Sequence, residues 1–283
     1  MIFRFRAASY FFGLFVLTGV VAWFGLAFSL GSKASAEDLP SRTRGVRLLE
    51  PGEDMRPVSD FPDLRPGFAG GVVPVLETIR IAVAGGPVSR LASLKPRAAP
   101  FTIVEAQDNP DLVWDAAAKQ VRVGGKIIAY DIGPEKLPAV IDKMAVLRGI
   151  ERLSAKHPQP IALLSGTSIF HKGETVEIEV GDVARRALVL FDIAGDGTVQ
   201  ALYPIGGDER IIKTRSFRWR FEAQEPFGSD LVIAVTAPQA MDALIEGLRE
   251  ISQFRSAGDV LKLLAMAAPP DARIGSITLS SRP

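Results

Sequence analysis

The chain holds two histidines and no cysteine, which sets narrow limits on its chemistry. Without a thiol there is no disulfide framework, no thiolate zinc site, no iron–sulfur cluster and no cysteine nucleophile. His157 stands before Pro158, where a helix must stop, and His171 stands in a turn before Gly173. Neither has the spacing to a second ligand that a metal site needs, and both read as solvated turn residues. Ser165-Gly-Thr-Ser168 suggests a nucleophile, yet it lacks a Gly-x-Ser-x-Gly elbow and a partnered histidine, so it reads as a turn at a strand end. Neither a Gly-x-x-x-x-Gly-Lys-Ser/Thr nor a Gly-x-Gly-x-x-Gly run is present to cradle phosphate. Asp192-Ile-Ala-Gly-Asp196-Gly197 begins like an EF-hand loop, but Ala194 and Tyr203 fall where the third and twelfth ligands belong. Asp196-Gly197 between two apolar runs is instead a hairpin signal. These residues predict no enzyme, no cofactor and no metal.

The densest basic and aromatic patch is Phe217-Arg218-Trp219-Arg220-Phe221, with Lys213 and Arg215 nearby. On a strand the three aromatics share one face and the two arginines the other. Two readings stand side by side: core aromatics backed by a solvated basic face, or a shallow cationic surface for an acidic partner or anionic headgroups. Over the whole chain 33 basic residues face 32 acidic ones, so no broad footprint for nucleic acid is expected.

The elements that would position these residues fall into two folded stretches. In the first, 77–157, Thr78–Val83 alternates on period two, Phe101–Ala106 is apolar, and Gln120–Val123 and Lys126–Asp131 flank the turn pair Gly124-Gly125. A helix follows, opened by Pro134, with Leu137, Val140, Ile141, Met144, Leu147, Ile150 and Leu153 on one face. His157-Pro158 ends it. The second stretch, 158–283, predicts strands at 160–164, 175–180, 187–193, 198–203, 217–221 and 230–236, separated by turns. The period then becomes helical at Met241, Leu244, Ile245, Leu248, Ile251 and Phe254. Ser256-Ala-Gly-Asp259 opens another helix and 274–279 closes with a strand. The expected class is α+β: a small α/β unit, then a β-sandwich with two C-terminal helices, behind one N-terminal transmembrane helix.

That helix is expected within residues 1–36. No charge occurs between Ala7 and Ser32, Arg4 and Arg6 precede the run and Lys33 follows it. As a helix the apolar part reaches roughly 39 Å, enough for a hydrocarbon core of about 30 Å. Ala34-Ser35-Ala36 has the form of a cleavage site, so a signal segment cut near Ala36 is the competing reading, although signal cores run only about 7–15 residues. Flanking charges oppose one another. The short N-terminal tail and the acids Glu37, Asp38 and Glu50 favour a globular part in the periplasm, anchored at a bacterial inner membrane. Residues 37–76, with Pro40, Pro51, Pro57, Pro62, Pro66 and Pro74, read as a semi-extended tether.

Within the second stretch, Leu188–Pro204, with its Asp196-Gly197 turn and its Leu-Tyr-Pro end, followed by Glu225-Pro-Phe-Gly-Ser-Asp-Leu-Val-Ile-Ala-Val235, resembles the bacterial domain of unknown function numbered 4384. The likeness covers about residues 165–240, and Asp196, Gly197, Tyr203, Pro204, Pro226, Phe227 and Gly228 match its pattern. Asp111-Leu-Val-Trp-Asp115 and the helix at 137–153 are similar to what precedes this domain in bacterial caspase-like proteins. Here an anchor and tether take the peptidase's position, and no cysteine exists for a caspase-type dyad. The resemblance implies an accessory, non-catalytic domain.

Two functions follow as expectations. The first is a membrane-anchored protein-interaction module of the envelope, serving a separately encoded caspase-like peptidase or kinase, with Tyr203, Arg218, Trp219, Arg220 and Phe227 as its surface. The second is a periplasmic binder of a small molecule or envelope polymer, with a pocket between the two units near Tyr203, Phe227 and Trp219.

Overall fold

A computed structural model describes residues 76–91, 94–205 and 208–283. The anchor expected over 1–36 and nearly all of the tether expected over 37–76 lie outside them. Among the described residues no helix is long and apolar enough to cross a membrane. The fold is mixed α+β and rich in sheet, with helices toward its C-terminus.

Five strands open it: β1 (Ile79–Ala84), β2 (Phe101–Ile103), β3 (Leu112–Asp115), β4 (Gln120–Val123) and β5 (Lys126–Ala129). β1 lies between β2 and β3 and is parallel to both, while β3, β4 and β5 form an antiparallel meander. Alternation turns Ile79, Ile81, Leu112, Trp114 and Val121 to one face, where they are buried. That face is covered by the first half of α1 (Leu137–Lys156), through Leu137, Val140, Ile141, Met144 and Ala145. The second half of the same helix enters a different core, through Val146 and Ile150. A 20-residue helix is about 30 Å long, enough to serve both.

The remaining strands are β6 (Ile161–Leu163), β7 (Ile169–His171), β8 (Thr175–Val180), β9 (Arg186–Ile193), β10 (Val199–Tyr203), β11 (Ile211–Ile212), β12 (Phe217–Glu222), β13 (Gly228–Ala237) and β14 (Arg273–Arg282). β13 is central, antiparallel to β9 on one side and to β14 on the other. Its continuous apolar run follows from burial on both faces. Ala187, Val189, Phe191, Ile193, Leu231, Ile233 and Val235 meet the helical layer of α1, α2 (Asp242–Ile251) and α3 (Ala257–Ala267). Leu188, Leu190, Val232 and Ala234 meet Val176, Ile178, Val180, Trp219 and Phe221 of the second sheet, ordered β12-β8-β6.

The opening strands and the central sheet join through one bridge, Gly228 to Ala129, which makes a single 11-stranded sheet. Gly195 sits in the same joint, where a Cβ would come within 2.7 Å of the Phe227 carbonyl oxygen and 2.9 Å of that of Ile128.

Candidate functional site

β12 shows the alternation its sequence predicts. Trp219 and Phe221 are buried, Phe217 is half-buried, and Arg218, Arg220 and Glu222 are exposed. Tyr203, at the end of β10, rises into the aromatic side of the strand. Its ring centroid lies 4.6 Å from that of Phe217 and 5.8 Å from that of Trp219, and the Phe217 and Trp219 rings stack at 6.0 Å. Such pairs add about 0.5–1.5 kcal/mol each beyond area burial. The Tyr203 hydroxyl donates to the Glu209 carbonyl, which fixes the ring.

The structure thus brings Tyr203 and Trp219 together but keeps their rings inside, at 6% and 7% exposure. Phe227 is buried as well, and among the described residues no ring contact links it to the Tyr203–Phe217–Trp219 group. Arg218 and Arg220 project from the outer face opposite acids of β8, where the register pairs Arg218 with Glu179 and Arg220 with Glu177. Both ion pairs close at 3.1 Å. Exposed pairs of this kind contribute about 0–1 kcal/mol, and they balance the charge of the face.

What distinguishes β12 is its backbone. Ala223 donates to the Glu174 carbonyl and accepts from the Gly173 N–H, so the odd-numbered residues direct their peptide groups at β8. The peptide groups of Arg218, Arg220 and Glu222 therefore point away from the sheet, along an open edge. Two other strand edges are closed. β10 accepts and donates through Val199 to Gln253 and Phe254, and the Ala201 N–H donates to the Ser252 hydroxyl. On β7 the outward N–H groups of Ile169 and His171 donate to Thr167 Oγ1 at 3.0 Å and Glu174 Oε2 at 2.7 Å. Side-chain plugs of this sort keep an edge from templating another strand. Among the described residues no such plug meets β12, which runs six residues, twice the length of β2 or β6.

The residues first considered for catalysis lie apart. His157 caps the end of α1, and His171 is exposed on β7 with Nδ1 3.7 Å from Glu174. Ser165 donates to the Thr167 carbonyl inside its own turn. Asp196 accepts from the Thr198 N–H at 3.0 Å and pairs with Arg255 at 3.2 Å, the geometry of a hairpin turn held in place. Gly197 there has φ +87°, and a Cβ would come 2.6 Å from the Ala139 carbonyl oxygen on α1. Among the described residues no three His, Asp or Glu side chains gather as a metal site requires.

One polar cluster joins residues far apart in the sequence. Asp142, in the middle of α1 and 2% exposed, accepts three backbone N–H bonds: Ala98 and Ala99 to Oδ1 at 3.0 and 2.8 Å, and Arg97 to Oδ2 at 2.8 Å. The Arg97 side chain reaches Asp259 of α3 at 2.8 Å. Burial pushes both carboxyls above the usual carboxylate range, against the opposing pull of the backbone donors on Asp142 and of Arg97 on Asp259. The cluster locks a loop to two helices. Its only hint in the sequence is an acid set between Ile141 and Met144 of an apolar stripe.

A scan against protein-family models matches none of them, and a search of curated proteins finds none that matches. Three of the positions that carry the resemblance have a packing role: Gly197 against α1, Gly228 against Ile128, and Tyr203 in the aromatic group.

Proposed function

We propose that this chain is a non-catalytic protein-interaction module of the bacterial envelope, and that β12 is its binding edge. In this reading residues 1–36 anchor it in the inner membrane and 37–76 tether the body. The small α/β unit over 77–157 and the β-sandwich with its helical pair over 158–283 face the periplasm. The observation that carries the reading is the bare edge of β12. A rigid six-residue strand, fixed from below by buried aromatics, presents three peptide groups between exposed side chains that no other described residue pairs with. An extended partner segment adds to such an edge through main-chain hydrogen bonds, with flanking side chains giving selectivity. The resemblance to domain 4384 suggests what the assembled module serves, a separately encoded caspase-like peptidase or kinase.

Photo-crosslinking tests this in cells that express the full chain. A photoreactive residue at Arg218 is expected to yield a discrete adduct of increased mass, and one at exposed Glu105, away from β12, none. No adduct from Arg218, or equal yields from both positions, overturns the binding-edge reading.

A further inference from the structure

We infer that the β12 edge binds a second copy of this chain, antiparallel, about a two-fold axis through Arg220; this rests on the reading of β12 as the binding edge. The argument begins with the spacing of the open peptide groups. They occur at Arg218, Arg220 and Glu222, each two residues from the next, so the set is symmetric about Arg220. Laid antiparallel on its own copy with Arg220 at the centre, the strand uses all three positions on both sides. Each opposed pair exchanges two hydrogen bonds, as hydrogen-bonded antiparallel positions do.

The side chains agree with that register. Arg218 comes opposite the second copy's Glu222 at one end, and Glu222 comes opposite the second copy's Arg218 at the other. Two ion pairs form across the joint, and directly opposed unlike charges favour a pairing where like charges resist it. The two central arginines meet, each flanked by its own Glu177 at 3.1 Å, so acids border the contact on both sides. On the inner face Trp219 falls opposite the second copy's Phe221, which extends the buried aromatic layer without a polar break. Moving the register two residues toward the N-terminus sets Arg218 against Arg220. Moving it two residues the other way sets Arg220 opposite Glu222 at both ends but carries Arg218 past the end of the partner strand, so only two of the three open positions on each copy are used. Every antiparallel register of the strand on its own copy is two-fold, as a closed dimer requires, but only the one centred on Arg220 engages all three open positions of both copies while keeping two Arg–Glu pairs.

A single six-residue edge is a small interface, at the low end of what stable complexes bury. Association is therefore concentration-dependent in solution and favoured where copies are held on one surface, because confinement raises effective concentration.

The absence of native cysteine makes the geometry directly readable. Full-length chain carrying Arg220→Cys, Arg218→Cys or Glu222→Cys is oxidised in the membrane and soluble fractions of the expressing cells. Opposed Cα atoms at the axis lie about 5.5 Å apart. The two copies of residue 218 lie about 14 Å apart, four residues along a strand. Arg220→Cys is expected to link to itself, and Arg218→Cys to link to co-expressed Glu222→Cys but not to itself. All three side chains point outward, so unchanged thermal melts confirm the fold in each variant.

Failure of Arg220→Cys to self-link, or equal linking by all three variants alone, overturns the two-fold pairing. The photo-adduct from Arg218 separates the two claims. An adduct built only of this chain supports the second copy. An adduct with another protein, in the absence of the Arg220→Cys link, overturns the second copy and leaves the binding edge standing. With neither adduct nor link, both fall.

Discussion

Asp142 on α1 and Gly258 on α3 stand so close that a Cβ on the glycine would lie 2.9 Å from the carboxylate's Oδ2. The approach is possible because Gly258 has no side chain, and it lets Arg97 bridge the two helices by its backbone to Asp142 and by its guanidinium to Asp259. Gly258→Ala is expected to lower stability by about 1–3 kcal/mol through overpacking, despite alanine's higher helix propensity. Urea unfolding of the variant beside the parent chain checks this, and a gain in midpoint would show that the joint is loose.

The same cluster sets a pH dependence. Asp142 and Asp259 both have folded-state values raised by burial above the ordinary 3.8. A carboxyl shifted upward contributes stability fully below its unfolded value, and that contribution is lost as pH rises through the folded value. The stability difference between the parent chain and Asp142→Asn should therefore shrink as pH rises from below 4 into the neutral range. Unfolding midpoints in a pH series measure it. A difference that grows with pH would mean the three backbone donors outweigh burial.

Gly197 makes the hairpin turn against α1. With φ at +87° and a Cβ that would come 2.6 Å from the Ala139 carbonyl oxygen, Gly197→Ala strains the turn and pushes the helix. A loss of about 2 kcal/mol or more is expected, since positive φ and backbone crowding act together. Amide exchange should speed up first at Thr198 and Val199, and no change in exchange or stability would contradict the packing described.

Trp219 and Arg218 are sequence neighbours with opposite roles. Trp219→Ala removes a buried ring and should cost about 3–5 kcal/mol. Arg218→Ala removes one exposed ion pair with Glu179 and should stay within about 1 kcal/mol. Paired unfolding curves distinguish the two, and similar losses would mean that the arginine row supports the fold.

Much of this was legible residue by residue. The period-two pattern of Phe217–Glu222 carries its own orientation, and the stripe from Leu137 to Leu153 announces a helix with one dry face. That stripe does not tell that its two halves enter different cores, because apolar spacing records that a face is buried and not against what. Arg97, Asp142 and Asp259 are separated by 45 and 162 residues in their contacts, beyond any local pattern. Likewise the closeness of Gly195 and Gly228 to Ile128, which joins the opening strands to the central sheet, depends on topology that no short window contains. Alternation puts Trp219 on the aromatic face of its strand, but that Tyr203 joins it there and Phe227 does not depends on how distant strands pack.

The central claim is that β12 binds through its open edge, and Arg220→Pro tests it most directly. Proline removes the one N–H at the centre of that edge, a donor that points away from β8 and supports nothing inside the fold. Phe221→Pro, whose N–H faces β8, serves as the disruptive control. The account predicts that Arg220→Pro keeps the parent's unfolding free energy within about 1 kcal/mol while abolishing the photo-adduct from position 218. An adduct that persists undiminished in a folded Arg220→Pro chain would contradict it.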